Sequence, residues 1–353
     1  QLTANYGLFR DQFIYDQRGS DALDKDQETW EQLGQFTVQF NALIADEHLL
    51  TIGLEGLVEQ LESVRLVDGQ GDRTRASIFL QDEWTISDEP NFNLVPGVRF
   101  DLDSQFGLNM TPKVTIRNDP TQELTIRASY GMGFRAPDFK ELLLVFENPS
   151  AGYVVEGNSD LVPESSHSVN LGLEWRPTNW LSMTTSLFYN DVKNLIFTEP
   201  SGSPAPGQPI RYTYTNIASA YTQGLEGQVS LTLLEELLID VSYTLTDTYD
   251  RLQNRALPGR ALHRGNVKIK YRRESWGFEA SAQGTFVGER PFYRDSGEAY
   301  FAAPYAAVDA RLSQELGKHI TLFVGVHNIL DEGEVELLPV RPRTFYGGLK
   351  GSL

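Results

Sequence analysis

The amino-acid sequence predicts an all-β protein, a transmembrane antiparallel β-barrel of which about sixteen strands are present. Three observations support this fold class. Apolar and polar residues alternate along many segments, the connections between segments alternate in length, and no stretch is apolar enough for a spanning helix. Such a helix needs about eighteen consecutive apolar residues. Closed barrels are the other structure that satisfies every backbone polar group in lipid.

Period-two alternation is the first of these observations, and it is typical of strands. It is clearest in residues 168–175, 181–189, 239–245 and 266–272. One face of each such strand is apolar and the other is polar, which a soluble β-sandwich shows as well. The apolar positions predicted to face lipid include Val169, Leu171, Leu173, Val241, Ile269, Ile320, Leu322, Val324 and Val326.

The connections distinguish a membrane barrel from a sandwich, because outer-membrane barrels join strands by short periplasmic turns and longer external loops. Short connections are predicted near residues 45–47, 88–90, 120–121, 178–179, 235–236, 275–276 and 317–318. Long connections are predicted near residues 17–28, 67–73, 136–164, 199–210, 249–262, 290–302 and 331–340, and the link at 104–107 is short where a long one is expected. This alternation favours the membrane barrel.

Aromatic residues and overall charge narrow the function. The aromatic residues that flank turns suit the interfacial girdle of a barrel, although edge packing in a soluble sheet is the alternative. They are Trp84, Phe92, Trp175, Trp180, Trp276 and Phe278. The net charge of −18 excludes nucleic acid as a partner, since its phosphates would be repelled. The chain has no cysteine, which excludes disulfides and thiolate metal sites.

Three groups of motifs occur in order between residues 128 and 349. The first is residues 128–137, ending in Phe134-Arg135-Ala136-Pro137, followed after a loop by residues 157–164, Gly-Asn-Ser-Asp-Leu-Val-Pro-Glu. The second is Asn216-Ile217-Ala218 with Gln223-Gly224-Leu225-Glu226-Gly227. The third is residues 326–332, Val-His-Asn-Ile-Leu-Asp-Glu, with residues 342–349, Pro-Arg-Thr-Phe-Tyr-Gly-Gly-Leu.

Together these motifs resemble those of the TonB-dependent receptor family, from about residue 80 to the C-terminus. The resemblance implies a bacterial outer-membrane location, a barrel of 22 strands around a plugged lumen, and a TonB-box peptide. We therefore assign residues 1–353 to the C-terminal portion of such a barrel domain, with the plug domain and the first strands expected on another polypeptide or fragment. The last residue is Leu353, whereas barrels of this family usually end in an aromatic residue.

An enzymatic function is not expected, because the five histidines are scattered and no nucleophile motif or zinc motif occurs. Haem uptake is disfavoured, since residues 138–156 contain no histidine, although Tyr153 could ligate haem iron. The external loops are rich in carboxylates that could bind Ca²⁺, and a solvated charged rim is the alternative. These carboxylates are Asp21, Asp24, Asp26, Glu28, Asp68, Asp72, Asp247, Asp250, Asp331, Glu332, Glu334 and Glu336.

The resemblance implies active uptake of a bulky, scarce nutrient such as a ferric siderophore or cobalamin. Aromatic and arginine side chains of the external loops are the expected ligand contacts, and we select Phe146, Tyr153, Tyr293 and Arg294. The expected partners are the plug, the TonB energy complex acting through it, lipid, lipopolysaccharide and a small-molecule chelate. A passive pore or structural barrel component is the alternative, because sixteen strands match the porins.

Overall fold

The structure is a computed structural model that describes residues 1–16, 19, 24–149, 151–202, 205, 207–294, 296–317, 319–332 and 340–351. Among these residues, no helix has both the length and the apolar character needed to cross a membrane. Contacts divide the chain into two compact units. The first holds residues 1–116, 129–168 and 190–220, and the second holds residues 117–128, 169–189 and 221–353.

Five antiparallel strands follow one another in the first unit, and each pairs with the next. They are β1 (Leu2–Tyr15), β2 (Lys25–Ile44), β3 (His48–Ser63), β4 (Gln70–Asp88) and β5 (Asn91–Asp103). The register shifts between Thr85 and Ser87, where β4 carries an irregularity near its turn to β5.

The middle of the chain contains long strands that contribute residues to both units, with one helix and one short hairpin between them. These elements are β6 (Gly107–Thr121), β7 (Leu124–Arg135), α1 (Phe139–Leu143), β8 (Val145–Asn148), β9 (Tyr153–Glu156), β10 (Glu164–Thr178), β11 (Leu181–Pro200) and β12 (Ile210–Leu233). Strands β8 and β9 pair with each other, and β9 also pairs in parallel with the start of β12.

The second unit continues the antiparallel pattern in the order β13, β14, β15, β18, β19 and β20. Its elements are β13 (Leu237–Asp250), β14 (His263–Arg273), a 3-10 turn (Glu274–Trp276), β15 (Phe278–Val287), β16 (Arg290–Tyr293), β17 (Ala299–Ala302), β18 (Tyr305–Leu316), β19 (Ile320–His327) and β20 (Thr344–Gly351). Strands β16 and β17 form a separate two-stranded hairpin.

The strand count confirms the predicted fold class. The described residues contain twenty strands, of which β8, β9, β16 and β17 have four residues each and lie within connections. The remaining sixteen strands have between 8 and 24 residues and form the wall. The predicted connections 136–164, 199–210, 249–262 and 290–302 each lie within two residues of the gaps between wall strands.

Two predicted connections are shorter than expected, because the flanking strands extend further. The link predicted at 17–28 is reduced by β2, which begins at Lys25, and the link predicted at 67–73 is reduced by β4, which begins at Gln70. Polar residues at these strand ends hide the alternation. Most of the connection 331–340 lies outside the described residues, as do Lys318 and Leu353.

The two faces of the wall differ as the alternation predicts. Eight of the nine positions assigned to lipid are exposed on the isolated chain, and Val326 is half-buried. The opposite face carries charged and hydroxyl side chains; on β5 the Arg99 guanidinium lies 2.6 Å from the Glu55 carboxylate and 2.9 Å from that of Asp101. We call this polar face the inner face and the apolar face the outer face.

Candidate functional site

The large connection between β7 and β10 is fixed at its two ends by one arginine. Two nitrogens of Arg135 donate to the Glu164 carboxylate at 2.6 and 2.8 Å, and Nη1 donates to Glu141 at 3.0 Å. Glu141 also belongs to a capping box with Asp138 at the start of α1. Bidentate arginine–carboxylate pairs are geometrically specific. The arginine and glutamate of the first motif therefore hold the loop 136–163 closed at its base.

A second, buried arginine anchors the start of this loop. Arg73 on the inner face of β4 is 4% exposed and donates to the backbone oxygen of Pro137 and, at 3.0 Å, to Oε1 of Gln105. The other groups around it are the Phe106 and Phe139 rings, 5.4 and 5.2 Å from the guanidinium carbon, and the Asp103 carboxylate at 4.0 Å. A buried cation is stable only with such partners. The loop thus packs against the inner face.

The end of the loop is bound by asparagines from two motifs. Asn216 accepts a hydrogen bond from the Val162 backbone nitrogen and donates to the Val162 backbone oxygen, both at 2.9 Å. It also donates to the Asn194 backbone oxygen at 2.6 Å, and Asn158 donates to that of Tyr214 at 2.9 Å. Motifs far apart in sequence therefore meet at the base of the loop. We call this group of hydrogen-bonded residues the bracket. These motif residues therefore shape the protein at the loop base.

A small hydrophobic cluster fills the bracket. Its buried members are Leu142 of α1, Leu161 of the loop and Ile196 of β11, and Phe106, Leu143 and Tyr214 pack around them. Burial of such side chains stabilises a fold by roughly 1.5 to 3 kcal/mol each. The loop therefore has its own hydrophobic core, which supports the hairpin of β8 and β9.

Two predicted ligand contacts, Phe146 and Tyr153, lie side by side on this hairpin. Their ring centroids are 6.3 Å apart, and Tyr153 also contacts the Tyr212 ring at 6.2 Å. Phe146 meets the Phe13 ring edge-on at 5.2 Å. The Tyr153 hydroxyl lies 3.4 Å from Nδ2 of Asn148. The structure thus brings this predicted pair together within a cluster of four aromatic rings.

Ion pairs hold the hairpin against neighbouring strands. Lys25 of β2 lies 2.7 Å from Glu147, and Arg211 of β12 pairs with Glu156. The pKa of the Glu147 carboxyl is lowered, chiefly by its hydrogen bond with Lys25 and then by the charge of the same lysine. The contact is therefore present at neutral pH and is lost as the pH falls through that lowered pKa.

A cavity of about 280 Å³ opens beside the hairpin. Arg65 lies in its lining, 5.9 Å from the centres of both the Phe13 and Phe146 rings, and donates to the Asp11 carboxylate at 2.7 Å. The lining also includes Phe9, Thr29, Glu31 and Lys140. Aromatic, cationic and acidic groups thus converge in a concave site of the kind that binds small molecules. No sequence pattern points to Arg65, because it follows β3 in a connection without periodicity.

The other predicted pair, Tyr293 and Arg294, lies in the second unit at the hairpin of β16 and β17. The guanidinium of Arg255 stacks on the Tyr293 ring at 3.9 Å. Arg294 pairs with Glu298 at 3.0 Å and lies 5.7 Å from the Tyr300 ring. Both side chains are therefore engaged by neighbouring loop residues. Their role as ligand contacts stays a prediction.

The calcium prediction also stays open. Within the described ranges, no group of three or more His, Asp or Glu side chains converges as metal ligands do. Asp21, Glu334 and Glu336 lie outside the described residues.

An antiparallel wall with one apolar and one polar face, short turns at one end and folded loops at the other defines a β-barrel of the outer-membrane type. The TonB dependent receptor-like β-barrel family matches residues 1–329. The chain therefore belongs to the family of TonB-dependent receptors, and its location is the bacterial outer membrane.

Three proteins of known description show what the chain is similar to. The chain is 29% identical over 323 residues to the iron-regulated outer membrane virulence protein of Vibrio cholerae, covering 84% of this chain and 48% of that protein. It is 23% identical to the vitamin B12 transporter BtuB of Photobacterium profundum, covering 83% and 46%. The crystal structure of the siderophore receptor PirA from Acinetobacter baumannii aligns with a TM-score of 0.78 at 18% identity, covering 100% of this chain and 60% of that one. The chain thus spans less than half the length of these two sequence relatives.

Proposed function

We propose that this chain forms most of the wall and external loops of a TonB-dependent transporter that takes up a bulky, scarce nutrient, such as a ferric siderophore or cobalamin. The observation that supports it best is the braced loop 136–163, which holds an aromatic cavity over the inner face at the external end of the wall. The proposed substrate class is supported by the descriptions of the Photobacterium profundum relative as a vitamin B12 transporter and of the Acinetobacter baumannii protein as a siderophore receptor.

In this proposal the remaining parts of the transporter have defined roles. A plug fills the lumen, and further strands complete a wall of about 22 strands. The TonB energy complex acts through the plug, while lipid and lipopolysaccharide surround the outer face. The substrate is a small-molecule chelate. Its contacts are Phe146 and Tyr153 with Arg65 in the first unit, and Tyr293 and Arg294 in the second.

Uptake by intact cells tests the proposal. The whole receptor is expressed in an iron-limited strain without its own siderophore and cobalamin receptors, and uptake of radiolabelled ferric chelates and vitamin B12 is measured with and without TonB. We expect TonB-dependent uptake of at least one ligand, reduced about tenfold by combining Phe146→Ala with Tyr153→Ala, because a well-packed aromatic contact contributes on the order of 1 kcal/mol or more. Trp276→Ala, in a predicted periplasmic turn, serves as the matched control.

Electrical conductance separates this function from the passive pore. A plugged transporter in a planar bilayer conducts almost no ions, whereas an open barrel of sixteen strands conducts continuously. Steady conductance of the whole receptor, together with uptake that does not require TonB, would establish the pore and end the transporter proposal.

A further inference from the structure

Strand β14 carries a row of cations on one face. Between residues 266 and 272 apolar and polar residues alternate strictly, with Val267, Ile269 and Tyr271 on one side and Asn266 among the cations on the other. The row on the other side comprises Arg264, Lys268, Lys270 and Arg272. This concentration is unusual in a chain with 30 Lys and Arg, 48 Asp and Glu, and a net charge of −18. We call these four side chains the basic row.

Strand pairing places the basic row on the inner face. Val267 lies opposite Val241 and Gly284, and Ile269 lies opposite Ile239 and Ala282, so this side of β14 continues the outer face. The basic row therefore points to the other side, from the second residue of β14 almost to the turn at 274–276. Alternate residues of a strand are about 6.6 Å apart. The row runs along nearly the full length of this wall strand.

The half of the row nearer the external loops has positive charge without an ionic partner. Arg264 and Lys268 are exposed, and neither forms an ion pair in the part of the chain that the structure describes. Asp240 is the register partner of Lys268, but its carboxylate accepts a hydrogen bond from Ser230 at 2.6 Å. The carboxylate of Asp240 thus lowers the positive potential around Lys268, but the two side chains do not form an ion pair.

The other half of the row is partly neutralised. Lys270 lies 2.9 Å from Glu279, and Arg272 lies 3.9 Å from Glu274. Three of the register partners that flank the row on β13 and β15 carry neutral hydrogen-bonding groups, namely Thr244, Ser281 and Gln283. The other partners are the carboxylates Asp240 and Glu279 and the apolar residues Leu238 and Val287. Positive charge therefore decreases from the external end toward the periplasmic end, with hydroxyl and amide groups on both sides.

We infer that the basic row is a binding path for an anionic metal chelate that moves along the inner face of the wall, which restricts the substrate class to ligands with net negative charge. This inference rests on the proposed transport function. Rows and rings of Arg and Lys select anions in pores, and a charged cleft with low-dielectric walls raises the local concentration of an oppositely charged ligand. The decrease in charge lets the chelate leave at the periplasmic end. An acidic surface of the plug is the alternative occupant.

Uptake of charged and uncharged probes tests the inference in the whole receptor. Arg264→Gln is combined with Lys268→Gln, and uptake of an anionic ferric tris-catecholate is compared with that of an uncharged ferric tris-hydroxamate and vitamin B12. We expect the initial uptake rate of the anionic chelate, below saturation, to fall about tenfold. Its dependence on ionic strength should weaken as well, because salt screens the lost attraction. Arg264→Lys with Lys268→Arg preserves the charge and should restore the rate.

The outcomes distinguish this inference from the proposed function. If the wild-type receptor transports only uncharged ligands, or if the neutralised variant transports the anionic chelate normally, the basic row is not an anion path although transport stands. Equal loss for every ligand at unchanged receptor levels would indicate docking of the plug and overturn the inference. Failure of the wild-type receptor to transport any ligand would overturn the proposed function itself.

Discussion

Single residues on β19 test which face of the wall meets lipid. Leu322 is 41% exposed on the outer face, and Thr321 lies on the inner face opposite Glu315. We expect Leu322→Arg to cost about 2 to 4 kcal/mol of folding free energy, because a cation near the bilayer midplane loses its hydration. Thr321→Arg should be tolerated beside the glutamate. Urea unfolding in lipid vesicles and receptor levels in the outer membrane measure the effect of each substitution. Equal effects of the two substitutions would refute the assignment of faces.

Gly157 of the first motif is required by close packing. A Cβ atom at this position would lie 2.6 Å from backbone atoms of Leu142 and Leu143, which cannot move independently of α1. We expect Gly157→Ala to displace α1 from the bracket and to speed hydrogen exchange across residues 136–163. Gly34→Ala is the control, since a Cβ atom there would have no other atom within 4 Å. Unchanged exchange in the Gly157 variant would show that the bracket tolerates the shift.

Individual contacts are harder to predict from the sequence than individual faces. Alternation alone places Leu322 and Thr321 on opposite sides, because side chains of a strand point alternately to its two faces. Phe146 and Tyr153 are predictable as aromatic residues of a long loop, and they do lie together. Their neighbours Phe13 and Tyr212 come from distant strands, so no local pattern indicates them.

At the level of elements, the loop base should depend on Arg135 more than the loop tip depends on Arg211. Arg135 joins Glu141 and Glu164, whose side chains are 14% and 12% exposed, whereas the pair of Arg211 with Glu156 is open to solvent. We expect Arg135→Met to leave the Glu141 and Glu164 carboxylates without a cationic partner and to destabilise the loop by roughly 1 to 3 kcal/mol. Arg211→Met should cost less than about 1 kcal/mol.

Limited proteolysis of the loop in the assembled receptor measures this difference. The Arg135 variant should be cut within residues 136–163 much faster than the wild type, and the Arg211 variant only slightly faster. Similar cleavage rates of both variants would show that the ion pairs at the loop base contribute no more to loop stability than the ion pair at the tip.

Wall strands can be predicted because the alternation of apolar and polar residues is a local sequence signal. Loop elements cannot, because they depend on tertiary contacts. Strand β7 ends at Arg135 and strand β10 begins at Glu164, which agrees with the predicted loop 136–164. Helix α1 is absent from the prediction, although Asp138 and Glu141 form a capping box whose spacing is visible in the sequence. The parallel pairing of β9 with β12 has no sequence signal, since parallel contacts join segments far apart in the chain.

At the scale of the whole molecule, labelling of intact cells tests the orientation in the membrane. The chain has no cysteine, so single cysteines can be introduced at Lys140 in the large loop and at Asn179 in the turn between β10 and β11. We expect a membrane-impermeant thiol reagent to label position 140 in intact cells and position 179 only after lysis. Lys318, in another of the predicted periplasmic turns, lies outside the described residues. Equal labelling in intact cells would refute the topology.

Closure of the barrel gives a second prediction at this scale. The resemblance of the last motif to the end of a 22-strand wall implies that the segment 2–13 does not pair directly with the segment 343–353. We expect cysteine pairs placed across these two segments to form no disulfide in the membrane-embedded receptor. Efficient cross-linking would instead support a complete ring and favour the passive pore.

The parallel contact between Tyr153–Glu156 and Ile210–Thr213 also determines the order in which the molecule assembles. Strands β10 and β11 lie between its partners in the chain, so this contact closes a long segment that contains both strands. Contacts that close long segments form slowly. Docking of the external hairpin is therefore a late event in biogenesis, and an undocked, protease-sensitive hairpin marks molecules whose wall is unfinished.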